Sequence, residues 1–200
     1  MYEDCTIEER YLLNFTDLEK RLFRRKRAEK ANQPELANTL PISPLEVRYI
    51  LNRIYFDDPR DTAFTLGPKD KIVNGDAIAI RMGVAFSENT HCQEVRMDSV
   101  NLTDWGAGLI LETFKKKSLN VLSLKGNDKL TDSTFEQIDR MLSEPQNSWK
   151  QVCLDGGQMS DKMRQRLMSH PNVILENTPK CIRICSRQNP IRQLSAEHTL

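Results

Sequence analysis

Apolar and polar residues alternate in three short stretches in the middle of the chain, and each stretch runs into the start of a helix. Val95-Arg96-Met97 leads to Leu102-Thr103-Asp104, Leu122-Ser123-Leu124 to Leu130-Thr131-Asp132, and Val152-Cys153-Leu154 to Met159-Ser160-Asp161. These units begin at 95, 122 and 152, so they recur after 27 and then 30 residues. A period of about 20 to 50 residues predicts stacked repeats, because no single unit can bury its apolar side alone. Alternation turns Val95 and Met97, Leu122 and Leu124, and Val152 and Leu154 to one face. Leu109, Leu111 and Phe114, then Phe135, Ile138, Met141 and Leu142, come back over that face on helices. Ala63-Phe64-Thr65-Leu66 reads as a degenerate first strand, with its helix over 74–86. Further helices are expected over 104–116, 132–142 and 161–169, and Val173-Ile174-Leu175 as a last strand.

Two helices are expected before the repeats. The first, over 7–31, carries Tyr11, Phe15, Leu18 and Leu22 on one stripe. Its first half is acidic and its second half basic, which suits the helix dipole. A polar connector with Pro34 and Pro41 follows. Ser43-Pro44-Leu45-Glu46 is a capping-box start for the second helix, whose inner face is Val47, Ile50, Leu51 and Ile54. The expected organisation is a charged helix and connector over 1–41, a helical cap over 42–62, repeats over 63–178 and a polar basic tail over 179–200, either an extended cap or loosely ordered.

Composition narrows the classes. Hydrophobic residues make up 38% and charged residues 28% of the 200, with a net charge of +1, which gives no global attraction to nucleic acid. No apolar run approaches the roughly 18 residues of a membrane span, so no membrane insertion is expected. The start, Met1-Tyr2-Glu3-Asp4, does not read as a secretory signal; the expected compartment is the cytoplasm, with nucleus or organelle left open. Five scattered cysteines read as reduced thiols rather than a disulfide scaffold.

The segments LNVLSLKGNDKLTD and CQEVRMDSVNLTDWGAGLILETF resemble leucine-rich repeats of the ribonuclease-inhibitor-like class. Leu119, Leu122, Leu124, Asn127 and Leu130 match that consensus, while Val100 and Gly157 stand where other repeats carry the buried asparagine. FSENTHCQEVRM is also similar to the helix-to-strand passage of tropomodulin-type repeats. The resemblance implies an α/β fold: a right-handed solenoid of about four repeats with parallel strands on its concave face, preceded by N-terminal helices. It also implies a protein partner bound on that face. Strand alternation puts Glu94, Arg96 and Asp98, then Val121, Ser123 and Lys125, on it. Gln151, Cys153 and Asp155 follow, then Ile174 and Glu176. On the N-terminal helix, Phe15, Leu18, Leu22, Arg24, Arg25 and Arg27 form a second candidate contact.

Chemistry offers less. Cys181 and Cys185 are four apart and His91 adjoins Cys92, but a structural zinc site needs two close pairs, so no metal or other cofactor is expected. Asp104, Asp132 and Asp161 open helices and read as caps rather than catalytic acids. No nucleophile elbow, phosphate loop or zinc-protease motif occurs, and no catalytic residue is assigned. Arg21 to Arg27 could serve nuclear import or an acidic partner, against the plainer reading of a solvated helix end. The expected function is a non-enzymatic protein-interaction module, a subunit or assembly factor of a larger complex. Leu40-Pro41 before Leu45, Val47, Ile50 and Leu51 resembles an F-box opening, which gives a ubiquitin-ligase adaptor as one alternative. An enzyme with an unrecognised site is the other.

Overall fold

The alternating stretches become parallel strands. In the computed structural model these are β1 (Ala63–Leu66), β2 (Glu94–Met97), β3 (Val121–Ser123) and β4 (Gln151–Leu154). Each is followed by a helix: α3 (Gly75–Ala85), α4 (Asp104–Phe114), α5 (Asp132–Ser143) and α6 (Asp161–Met168). Among the described residues, α1 (Asp17–Ala31) and α2 (Pro44–Tyr55) precede β1, and the strands β5 (Val173–Thr178) and β6 (Cys181–Ser186) follow α6. The structure describes residues 10–12, 14–32, 41–155, 159–168, 173–178 and 181–186, the last two strands in backbone only. The Gly156-Gly157 turn and the connector over 33–40 lie outside them.

Register aligns the inward residues into rows. Phe64 pairs with Val95, Val95 with Leu122 and Leu122 with Val152, and all four are buried. The helices cover them with Met82, Ile110, Leu111, Phe114, Phe135 and Ile138. At one end Phe64, Phe86 and Phe114 meet edge to face, with centroids 6.2 and 4.8 Å apart, and the Trp149 indole N–H closes the column on the Phe114 carbonyl at 3.1 Å.

The amino-terminal helix is broken where its apolar spacing predicts one run: Arg10 and Tyr11 are helical, and residues 7–9 lie outside the described ones. Asn14 takes a positive φ of 67°, Thr16 is extended, and α1 starts only at Asp17. Thr16 Oγ1 accepts from the Glu19 amide at 3.2 Å, and the Glu19 carboxylate accepts from the Thr16 amide at 2.8 Å. That capping box restarts the helix and changes its phase. Phe23, not Leu18 or Leu22, therefore joins Tyr11, Leu12, Phe15 and Tyr49 in a small second core separate from the main one.

The carboxyl end also departs from the sequence reading. The tail past Pro179 contains β6, which inserts antiparallel beside β4, and β5 pairs outside it, giving the order β1-β2-β3-β4-β6-β5. Val173-Ile174-Leu175 is thus a strand, but not the parallel neighbour of β4.

Neighbouring units are tied through carboxylates. Asp76 accepts from the Thr103 amide and hydroxyl at 2.9 and 2.7 Å. Asp104 accepts likewise from Thr131 at 2.8 and 2.6 Å, and Asp132 from the Ser160 amide at 2.9 Å. These aspartates therefore hold the start of the next helix, whereas the cap positions of their own helices are Asn74, Thr103 and Thr131, not the aspartates the sequence suggests. Gly106 is required beside Asp76, because a Cβ there would collide with that carboxylate. Burial opposes ionisation of Asp104, yet the bonds from Thr131 and Thr134 outweigh it and hold its pKa below the usual carboxylate value. At Asp57 burial is outweighed in the same way by Thr90 and His91, leaving a pKa of about 2. A depressed carboxyl stabilises the fold above its unfolded value of about 3.9 and loses that contribution as pH falls through the folded value. Urea denaturation is expected to show stability falling from about pH 4 downward, with a shallower fall in Asp104→Asn; equal slopes in the two proteins would remove Asp104 from the account.

Candidate functional site

The outward face of the sheet holds the row expected from alternation, as far as β4. Arg96 pairs with Ser123 and Ser123 with Cys153. The next position is Arg183 of β6, not Ile174; Ile174 pairs with Cys185 and Glu176 with Arg183, one strand further out. The centre of this face is closed. Val121, Ser123 and Cys153 are all buried, although their side chains lie on the outward side. Strands only about 4.8 Å apart let longer neighbours shade short side chains.

Much of the polar surface around the row is occupied in holding the fold. Asp98 accepts from the Ser123 hydroxyl at 2.6 Å and from the Lys125 amide at 3.0 Å, and Asp155 accepts from the Gly126 amide. Gln151 donates to Cys153 Sγ at 3.0 Å, and Arg96 lies 3.7 Å from Glu94 on its own strand. Glu94, Arg96, Asp98, Lys125, Gln151 and Asp155 remain partly exposed. They present a mixed-charge rim rather than a continuous patch.

On the amino-terminal side, Phe15 is buried beneath the Arg48 guanidinium, 3.7 Å from its ring centroid, and is not available to a partner. Leu18 is 60% exposed and Leu22 half-buried. Arg24, Arg25 and Arg27 are exposed; Arg25 pairs with Glu29 at 3.4 Å, and Arg27 lies 6.0 Å from the Tyr49 ring centroid.

A further surface escaped the sequence reading. Val73, Ala77, Ile80 and Val84 recur at spacings of 4, 3 and 4 and all are exposed, Ile80 by 51% and Val84 by 64%. Ala77, Ile80 and Val84 lie along the outside of α3, and Val73 comes just before its cap at Asn74. Asp76 of α3 holds the start of α4, where Trp105 is 59% exposed. The outer positions of α5 and α6 are polar instead, among them Glu136, Arg140, Lys162 and Gln165. The signal was present: a surface helix should be apolar on one side, and 75–85 is apolar nearly all round.

The reactive groups are subdued. Burial pushes the Cys92 thiol up to about 12, so it stays protonated at neutral pH. His91 lies 2.9 Å from Asp57 across the α2–β2 junction. Among the described residues no three His, Cys, Asp or Glu side chains are grouped to hold a metal ion, and no helix is long and apolar enough to cross a membrane. No protein-family model matches the chain, and no curated protein matches it at a significant level.

Proposed function

We propose that the chain is a non-enzymatic protein–protein interaction module: a short right-handed leucine-rich-repeat-like solenoid acting in the cytoplasm as a subunit or assembly factor of a larger complex. The observation that carries this reading is the exposed apolar surface of α3 at Ala77, Ile80 and Val84, together with the exposed Trp105 at the start of α4. Contiguous exposed apolar surface of this kind marks a site that another protein covers. Ala77, Ile80 and Val84, at i, i+3 and i+7 of α3, also form a short ridge of the kind a partner helix packs against. The carboxylates support the reading, since Asp76, Asp98, Asp104, Asp132 and Asp155 all hold amides of neighbouring units. The net charge of +1 suits a protein partner better than a polyanion.

The test is affinity purification from native extract with two double variants. Ile80→Glu with Trp105→Glu is expected to keep the wild-type unfolding midpoint, because exposed changes cost no more than about 0.5 kcal/mol each. It is expected to lose a stoichiometric partner, with affinity down about tenfold or more. Arg96→Glu with Lys125→Glu probes the outward sheet face in the same way. Unchanged partner recovery by the first variant would remove the α3 stripe as the docking surface.

A further inference from the structure

Helix α1 carries seven basic and three acidic residues, a charge of +4 on a chain of +1, so the remainder carries −3. The way it packs sorts those charges. Phe23 turns inward, its ring centroid 4.6 Å from that of Tyr49. Towards its two ends the helix is pinned to α2 by ion pairs, Glu19 with Arg48 at 3.0 Å and Lys30 with Glu46 at 2.6 Å. Glu19 and Lys30 share the side of Phe23, so the pairs fix the helix about its own axis. Opposite Phe23 runs the stripe Leu18, Arg21 and Arg25, at i, i+3 and i+7, all exposed. Lys20 and Arg24 flank it on one side, Leu22 and Lys26 on the other.

Two features state what this outer face receives. The first is charge. Lys20, Arg21, Arg24, Arg25 and Lys26 stand against Asp17 and Glu29, five positive groups less two negative, or +3. Arg25 pairs with Glu29 at 3.4 Å, but both side chains are well exposed and the pair is weak. Arg21 donates to the Asp17 carbonyl at 3.4 Å, which leaves its charge in place. Among the described residues Lys20, Arg24 and Lys26 meet no acidic side chain. Arg27 lies towards Tyr49 and is left out of the count. The second feature is Leu18, 60% exposed within the cationic stripe, with Leu22 half-buried beside it. Nucleic-acid phosphates would use the cations and leave Leu18 idle. A partner helix would pack on one ridge, whereas these cations fan over more than half of the helix circumference. A lipid surface takes both: the leucine enters the acyl boundary, and long basic stems reach the headgroup plane from the flanks.

We infer that the outer face of α1 docks the protein on an anionic phospholipid bilayer, the helix lying flat on the surface. Leu18 dips between the headgroups, and Arg21, Arg24 and Arg25 lie on lipid phosphates and carboxylates. At 15 residues, ten of them charged, α1 adsorbs and does not span. The site is separate from the α3 surface and adds a lipid contact to the protein contact proposed above.

The experiment is co-sedimentation of the full chain with vesicles of phosphatidylcholine, pure or with about a third phosphatidylserine, at low and high salt. Binding is expected only to the anionic vesicles and is expected to fall about tenfold or more at high salt. Arg21→Gln with Arg24→Gln removes two charges, keeps helix propensity and is expected to weaken adsorption about tenfold or more. Leu18→Gln leaves every charge in place and is expected to weaken it about threefold or more. Both variants are expected to keep the wild-type unfolding midpoint, because the positions are exposed. Ile80→Glu with Trp105→Glu is expected to adsorb as the wild type does, so failure of the α3 surface and failure of α1 are told apart. The inference is overturned if anionic vesicles bring down no more protein than neutral ones, or if the Arg21 and Arg24 variant adsorbs unchanged. It is equally overturned if Leu18→Gln adsorbs unchanged, since the face then answers to charge alone, as it would on RNA or an acidic peptide.

Discussion

Asn127→Ala is expected to lower the unfolding free energy by about 3–5 kcal/mol, more than its size suggests. Its Oδ1 accepts from the Val100 and Leu102 amides at 3.0 and 3.1 Å, and its Nδ2 donates to the Met97 and Leu124 carbonyls at 2.7 and 2.9 Å. The side chain is buried, so these groups have no ready access to water once the amide is gone. Each buried group left unpaired costs about 1–3 kcal/mol, and two amides and two carbonyls are at stake. Because the bonds span the turns after β2 and β3, the damage is expected to appear in both units. Urea denaturation measures it. A change below about 1 kcal/mol would mean that water takes the place of the amide.

Leu122→Ala is expected to cost about 2–5 kcal/mol by the same measurement, through cavity formation. Leu122 is fully buried and lies in register between Val95 and Val152, so truncation opens a void against two neighbouring strands. Leu122→Met keeps most of the volume and is expected to cost less than about 1.5 kcal/mol. A near-equal loss in both variants would point to shape, not volume, as the constraint at this position.

The inward rows were readable because the strand pleat has a period of two and leaves Leu122 or Val95 only one face to choose. The start of α2 was readable for a local reason too, since Ser43 and Glu46 close a capping box within three residues. The same pattern at Thr16 and Glu19 marks the start of α1, but the spacing of Tyr11, Phe15, Leu18 and Leu22 suggests one unbroken stripe. A restart of phase at Thr16 brings Phe23 inward instead. Cys181-Ile182-Arg183-Ile184 alternates as a strand should, yet its antiparallel place beside β4 is a long-range pairing that no local pattern specifies. For the candidate sites, alternation told which side Ser123 and Cys153 take but not their exposure, which depends on the neighbours that shade them.

The carboxylates that join successive helix starts have a direction, unlike Asp155, which reaches back to the Gly126 amide. Helix α3 caps itself, the Asn74 side chain accepting from the Ala77 amide at 3.1 Å. Thereafter Asp76, Asp104 and Asp132, 28 residues apart, reach forward to Thr103, Thr131 and Ser160. A ribosome adds about 5–20 residues per second, so a new unit emerges every few seconds, whereas helices form within about a microsecond. Each nascent unit therefore meets an acceptor already in place on its predecessor and can dock before the next one leaves the exit tunnel. Built in the opposite order, every helix would wait for its acceptor. At the helix starts, then, the polarity of these contacts matches the polarity of translation.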